Sequence, residues 1–198
     1  KGRARKANDW AVVARVDWIP LEGLLVGGSV WSGASGQNQT VTNATTGISY
    51  DLKNVWTTIF EFHAEYEYKG LYLRALYTQS QIENAGQLSA ALGETIASRS
   101  IGAYVEVAYD IMPLIALSSS MRLEPFYRIE WTDTQSKVPS GFDSVGYERV
   151  LQNVVGLQFY PHPQVVLKAD YTNAHAKGRN SDGNQRENSI QIGVGYVF

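Results

Sequence analysis

Apolar and polar side chains alternate along most of this chain with a period of two. In residues 187–198, Ile190, Ile192, Val194, Tyr196 and Phe198 share one face, and Ser189, Gln191, Gly193 and Gly195 share the other. That is the period of a β-strand, not of a helix. The same two-faced pattern predicts eight further strands, nine in all. Residues 10–18 set Trp10, Val12, Ala14, Val16 and Trp18 against Val13, Arg15 and Asp17, and residues 24–32 set Val26 and Val30 against Gly27 and Ser29. Residues 55–68 give the clearest case, with Trp56, Phe60, Phe62, Tyr66 and Tyr68 opposite Thr57, Glu61, His63, Glu65 and Glu67. Strands are also predicted over 71–79, 99–110, 122–133, 148–160 and 165–172. Pro125 removes one ladder donor and predicts a local irregularity in its strand.

The connections predict an architecture. Residues 19–23, 69–70 and 161–164 read as tight turns, whereas 33–53, 81–97, 134–147 and 174–186 read as long polar loops. Residues 87–92 could form a helical turn within the second loop, and Asp182-Gly183 suits the tip of the last. The apolar connection 111–121 is long for a turn. Short turns on one side and long loops on the other are the arrangement of an outer-membrane barrel, whose apolar faces meet lipid and whose polar faces line a lumen. Trp10 and Trp18 lie about 26 Å apart along a strand, roughly 20 Å along the membrane normal after a ~40° tilt, which matches the spacing of two aromatic girdles. With a periplasmic C-terminus, nine strands place the start of the chain outside. Bacterial barrels have even strand numbers, so at least one earlier strand is expected, and the chain reads as part of a larger barrel. The alternative is a complete eight-stranded structural or adhesive barrel with a plugged interior, since eight strands leave only space that side chains fill. A soluble sandwich would bury the apolar faces instead.

Composition changes this picture little. The 198 residues are 44% hydrophobic, and the mean hydropathy of −0.22 looks soluble. An alternating barrel nevertheless averages to a polar composition and has no long apolar run. The 12 Tyr and 5 Trp suit interfacial girdles. A net charge of −2 leaves no basic footprint for nucleic acid. The absence of cysteine excludes disulfides, thiolate metal sites and a cysteine nucleophile.

The polar faces supply the candidate pore lining: Arg15, Asp17, Glu61, His63, Glu65, Glu67, Arg74, Glu106, Asp110, Arg122, Glu124, Arg128, Glu130, Lys168 and Asp170. His63 beside Glu61 and Glu65 invites an acid–base role, but no matched nucleophile accompanies it. Ser118, Ser119 and Ser120 have no identifiable base or oxyanion donor, and the calcium-like run at 180–184 lacks its remaining ligand spacing. The chain therefore reads as a non-enzymatic wall of water-facing charges with no metal or cofactor.

Several segments resemble the phosphate-selective porin O and P family of outer-membrane channels. They are VARVDWIPLEGLLVGGSV at 13–30, EPFYRIEWTDTQ at 124–135, VGLQFYPHP at 155–163 with VVLKADY at 165–171, and GVGYVF at 193–198. The resemblance implies a 16-stranded porin of which this chain is the C-terminal half. It also implies passive diffusion of small ions and solutes, a homotrimer and outer-membrane lipid as the surroundings. The aromatic ending, Tyr196 and Phe198, resembles the terminal signal read by the outer-membrane assembly machinery. One departure matters: phosphate-selective members line the pore with arginine and lysine, whereas here five positive residues face nine negative ones. The expected selectivity is therefore neutral to mildly cation-preferring.

Overall fold

The computed structural model of the protein describes residues 10–115, 120–144, 149–177 and 184–196. Its elements, in chain order, are β1 (Ala11–Leu21), β2 (Leu24–Ala34), β3 (Thr40–Thr42), β4 (Ser49–Asp51), β5 (Trp56–Tyr68), β6 (Leu71–Glu83), α1 (Ala85–Leu92), β7 (Arg99–Tyr109), α2 (Met112–Ile115), β8 (Arg122–Lys137), β9 (Arg149–His162), β10 (Val165–Lys177) and β11 (Asn184–Tyr196). Nine long strands pair with their sequence neighbours as one antiparallel meander, and β3 and β4 form a separate small hairpin. The sheet is open among the described residues, with β1 and β11 as its edges. Among the described residues, no helix is long and apolar enough to cross a membrane. Nine long strands are one more than the alternative of a complete eight-stranded barrel allows.

The alternation survives in three dimensions because the register keeps like faces together. Leu24, Tyr66, Leu73, Val107, Tyr127, Val155, Tyr171 and Ile190 lie side by side across eight strands. A slip of one residue on any strand would turn its apolar set to the opposite face. This apolar face is the exposed one: Phe62 is 59% accessible, Val105 54% and Ile192 85%. Glu61 and Glu124 on the polar face keep only 17% and 6% of their side-chain surface. A water-soluble protein has the reverse distribution.

The polar face is the inner surface of a curved sheet. Side chains there reach past an intervening strand. Arg15 of β1 meets His63 of β5 across β2, Arg122 of β8 meets Tyr72 of β6 across β7, and Lys168 of β10 lies 4.6 Å from the Phe126 ring of β8 across β9. Adjacent strands are about 4.8 Å apart, so such contacts need convergence of the side chains. That crowding also produces a small apolar cluster of Ala108, Phe126 and Val154 with Tyr72 on this face.

Several expected boundaries are corrected. β6, β8 and β10 run to Glu83, Lys137 and Lys177, and β11 starts at Asn184, so the ladders continue well into the segments read as loops. Alternation fades there while backbone pairing continues, because peptide groups need partners whatever surrounds the side chains. The segment 33–53 holds the β3–β4 hairpin, and 111–121 holds α2. Pro125 causes no register shift: its ladder to β9 runs straight through opposite Leu157, and pairing with β7 stops at Phe126. Its missing donor falls where that ladder has already ended. The turn at Lys69-Gly70 is as expected, while those expected over 19–23 and 161–164 shorten to Glu22-Gly23 and Pro163-Gln164 because β1 runs to Leu21 and β9 to His162. Lys69-Gly70 has both φ angles positive (47° and 82°), the condition of a type I′ hairpin. The 87–92 helical turn is the body of α1, closed by Gly93. Asp182-Gly183, Ser118 and Ser119 lie outside the described residues.

At the long-loop end, Leu52, Val55 and Ala91 form a second buried cluster with Val41, Tyr50, Ile82 and Leu88. Asn43 Nδ2 donates to Ala90 O at 2.7 Å, Gln87 Nε2 to Asp51 O at 2.7 Å, and Thr95 Oγ1 to Asp143 O at 2.9 Å. Three loops are thereby joined into one cap.

Candidate functional site

The charged residues predicted from sequence share the polar face and fall into distinct groups. The first is built on β1, β2 and β5. His63 Nδ1 lies 2.7 Å from Glu61 Oε1, and its Nε2 lies 3.0 Å from Asp17 Oδ1. Arg15 Nε is 2.9 Å from Asp17 Oδ2, and Ser29 Oγ donates to Glu61 Oε2 at 3.0 Å. Asp17, Gly27 and His63 occupy one row of the sheet. A Cβ on Gly27 would collide with Asp17 Oδ1 and His63 Nε2. The missing side chain is what lets groups on β1 and β5 meet across β2. A neutral imidazole can donate to only one of the two carboxylates, and only the doubly protonated ring serves both.

The second group alternates in sign. Glu65, Arg74, Glu106 and Arg128 stand in one row across β5 to β8. Arg74 Nη1 is 3.8 Å from Glu106 Oε1, Arg128 Nη1 is 4.0 Å from Glu106 Oε2, and Arg128 Nε is 3.7 Å from Glu130 Oε2. These are ion pairs longer than hydrogen bonds, and such pairs hold their members loosely.

The third group sits at the turn end. Arg122 Nη1 donates to Tyr72 Oη at 2.8 Å, its guanidinium lies 4.2 Å from the Tyr160 ring centre, and its Nε is 3.5 Å from Glu124 Oε1. Glu67 belongs to the same end, opposite Tyr72. Lys168 and Asp170 pair at 3.6 Å beside it. Asp110 does something the sequence did not suggest: it lies just past β7, where Oδ1 accepts from Met112 N at 3.0 Å and Leu123 N at 3.1 Å. It ties the α2 connection to the start of β8. Tyr196 ends β11, and Phe198 lies outside the described residues.

Sequence reasoning missed Tyr72, Phe126 and Tyr160 on the inner face. Parity alone would have found them, since each has the same parity as a charged residue already assigned inward on its strand or on its paired neighbour. Among the described residues, no group of three or more His, Asp or Glu side chains is arranged to hold a metal ion.

No protein-family model matches this chain. It is 28% identical over 183 residues to an uncharacterized protein of Aquifex aeolicus strain VF5, covering 87% of this chain and 39% of that protein. The solved structure of the outer-membrane expressed OmpT of Vibrio cholerae matches 96% of this chain and 56% of its own, with a TM-score of 0.53 at 16% identity. The chain thus spans about two fifths of the length of the first and just over half of the second. The structural likeness shows the fold, an antiparallel sheet of the outer-membrane β-barrel kind. The sequence-based exclusion of an enzyme is withdrawn here: a likeness at 16% identity shows the fold alone, and a shared fold does not decide chemistry.

Proposed function

We propose that this chain is part of a bacterial outer-membrane porin, a water-filled channel through which small ions and solutes diffuse. The carrying observation is the inverted distribution of side chains, with apolar rows exposed on the outer surface and ion pairs gathered on the inner one. Hydrocarbon around the barrel and water within it account for both halves of that distribution. The resemblance to the porin O and P family supports a 16-stranded barrel with this chain as its C-terminal half, and β1 and β11 are then the edges that further strands close. It also supports a homotrimer and recognition of the Tyr196 end by the assembly machinery.

The inner face carries acids in excess, but most are held by arginine or histidine, so selectivity should be neutral to mildly cation-preferring. The experiment is a planar bilayer holding the full-length protein under a salt gradient of potassium chloride. Open-channel steps with a reversal potential at zero or displaced slightly toward potassium agree with this reading. Strong anion preference, or no conductance from a folded barrel, would overturn it.

A further inference from the structure

The turn end of the inner face encloses a cavity of about 410 Å³. Four carboxylates, Glu65, Glu67, Glu106 and Glu124, line it with two guanidiniums, Arg74 and Arg122. Arg122 is already committed, hydrogen-bonded to Tyr72 Oη and stacked on the Tyr160 ring. From that position its Nε stays 3.5 Å from Glu124 Oε1, an ion pair without a hydrogen bond. Arg74 stands 3.8 Å from Glu106. Counting all six as charged leaves two negative charges in excess.

Glu124 is the group that asks for a ligand. Its side chain is 94% buried, with 6% of its surface exposed, and Oε1 has no hydrogen-bond donor. A buried carboxylate oxygen without a donor is costly, and native structures seldom leave one unserved. Oε1 itself is closed off from solvent, so a donor in the cavity serves it once the carboxylate rotates toward the cavity that Glu124 lines. The carboxylates are not grouped as a metal chelate among the described residues, and the cavity is far larger than a bare ion. An N–H donor on a small carbon frame fits its size and charge, with the tyrosine rings along the frame.

We propose that this cavity binds a small organic cation bearing a primary ammonium or guanidinium group, with Glu124 as its anchor and Glu67 and Glu106 as secondary acceptors. The inference rests on the channel reading in one respect, that it names a solute class for the same lumen. Its test does not depend on conduction.

The test is titration calorimetry at low salt on the full-length protein folded in detergent, with 1,4-diaminobutane as the probe and succinate, a dianion of the same carbon length, as the control. The expected result is saturable one-to-one binding of the diamine and none of succinate. Glu124→Gln should weaken the diamine by about tenfold or more, as expected for loss of a buried charged acceptor. Glu67→Gln, at the more open side, should weaken it by roughly two- to threefold. Absence of saturable binding to the folded protein overturns the proposal, and so does equal affinity in Glu124→Gln. Should Glu124→Gln not fold, Glu67→Gln and Glu106→Gln decide, and unchanged affinity in both overturns it. A protein that conducts without binding the diamine refutes the site alone, and one that binds without conducting refutes the channel alone.

Discussion

At the scale of single residues, what is missing matters as much as what is present. Gly27 leaves the gap in which Asp17 and His63 meet, so Gly27→Val must push that contact apart. Overpacking of this kind costs about 1–3 kcal/mol, and urea unfolding in lipid vesicles should read a loss in that range. Gly156 plays a related part under Phe126, where a Cβ would lie 2.5 Å from the ring and 2.6 Å from Ala169 O. Phe126 is 3% exposed, and Phe126→Ala should destabilise by about 3–5 kcal/mol in the same assay. A loss below about 1 kcal/mol would mean the inner cluster is not packed as described. None of this was legible in the sequence, because a contact that skips a strand depends on register and curvature, which alternation does not encode. The membership of Glu61, His63 and Asp17 in one face was legible, since parity alone assigns it.

At the scale of elements, the nine strands and their faces could be read directly, and their ends could not. Hydrophobic alternation marks the apolar belt that the proposed membrane would cover, and β8 and β10 outrun it by several residues to Lys137 and Lys177. The short α2 left no periodic signal, whereas α1 did, over the part of it that was expected. If the belt is real, its two faces must respond differently to one charge. Val105→Arg on the apolar face of β7 should cost about 2–4 kcal/mol, as arginine does near a bilayer midplane. Gln152→Arg on the polar face of β9 should cost less than about 1 kcal/mol, as a surface change does away from packed features. Equal costs in vesicle refolding titrations would contradict the assignment of faces. The cap offers a separate check. Asn43→Ala removes the bond to Ala90 O and the two bonds from Thr45 N and Thr46 N to Asn43 Oδ1. Proteolysis within 35–55 should then speed up while the strands stay protected.

For the whole molecule, an open nine-stranded meander with both edges unpaired among the described residues is half of an idea that closure completes. The central claim is that hydrocarbon lies against the apolar rows and water against the charged ones. These 198 residues contain no cysteine, and with any cysteine elsewhere in the full-length protein replaced by serine, each introduced thiol is the sole target of a labelling reagent. The most direct measurement places single cysteines at Phe62, Val105 and Val155 on one face and at Thr78, Glu130 and Gln152 on the other. The full-length protein is then exposed, in lipid vesicles, to a charged, membrane-impermeant thiol reagent. Rapid labelling of the second set and protection of the first is the predicted result. Rapid labelling of the first set, or equal labelling of both, would contradict it.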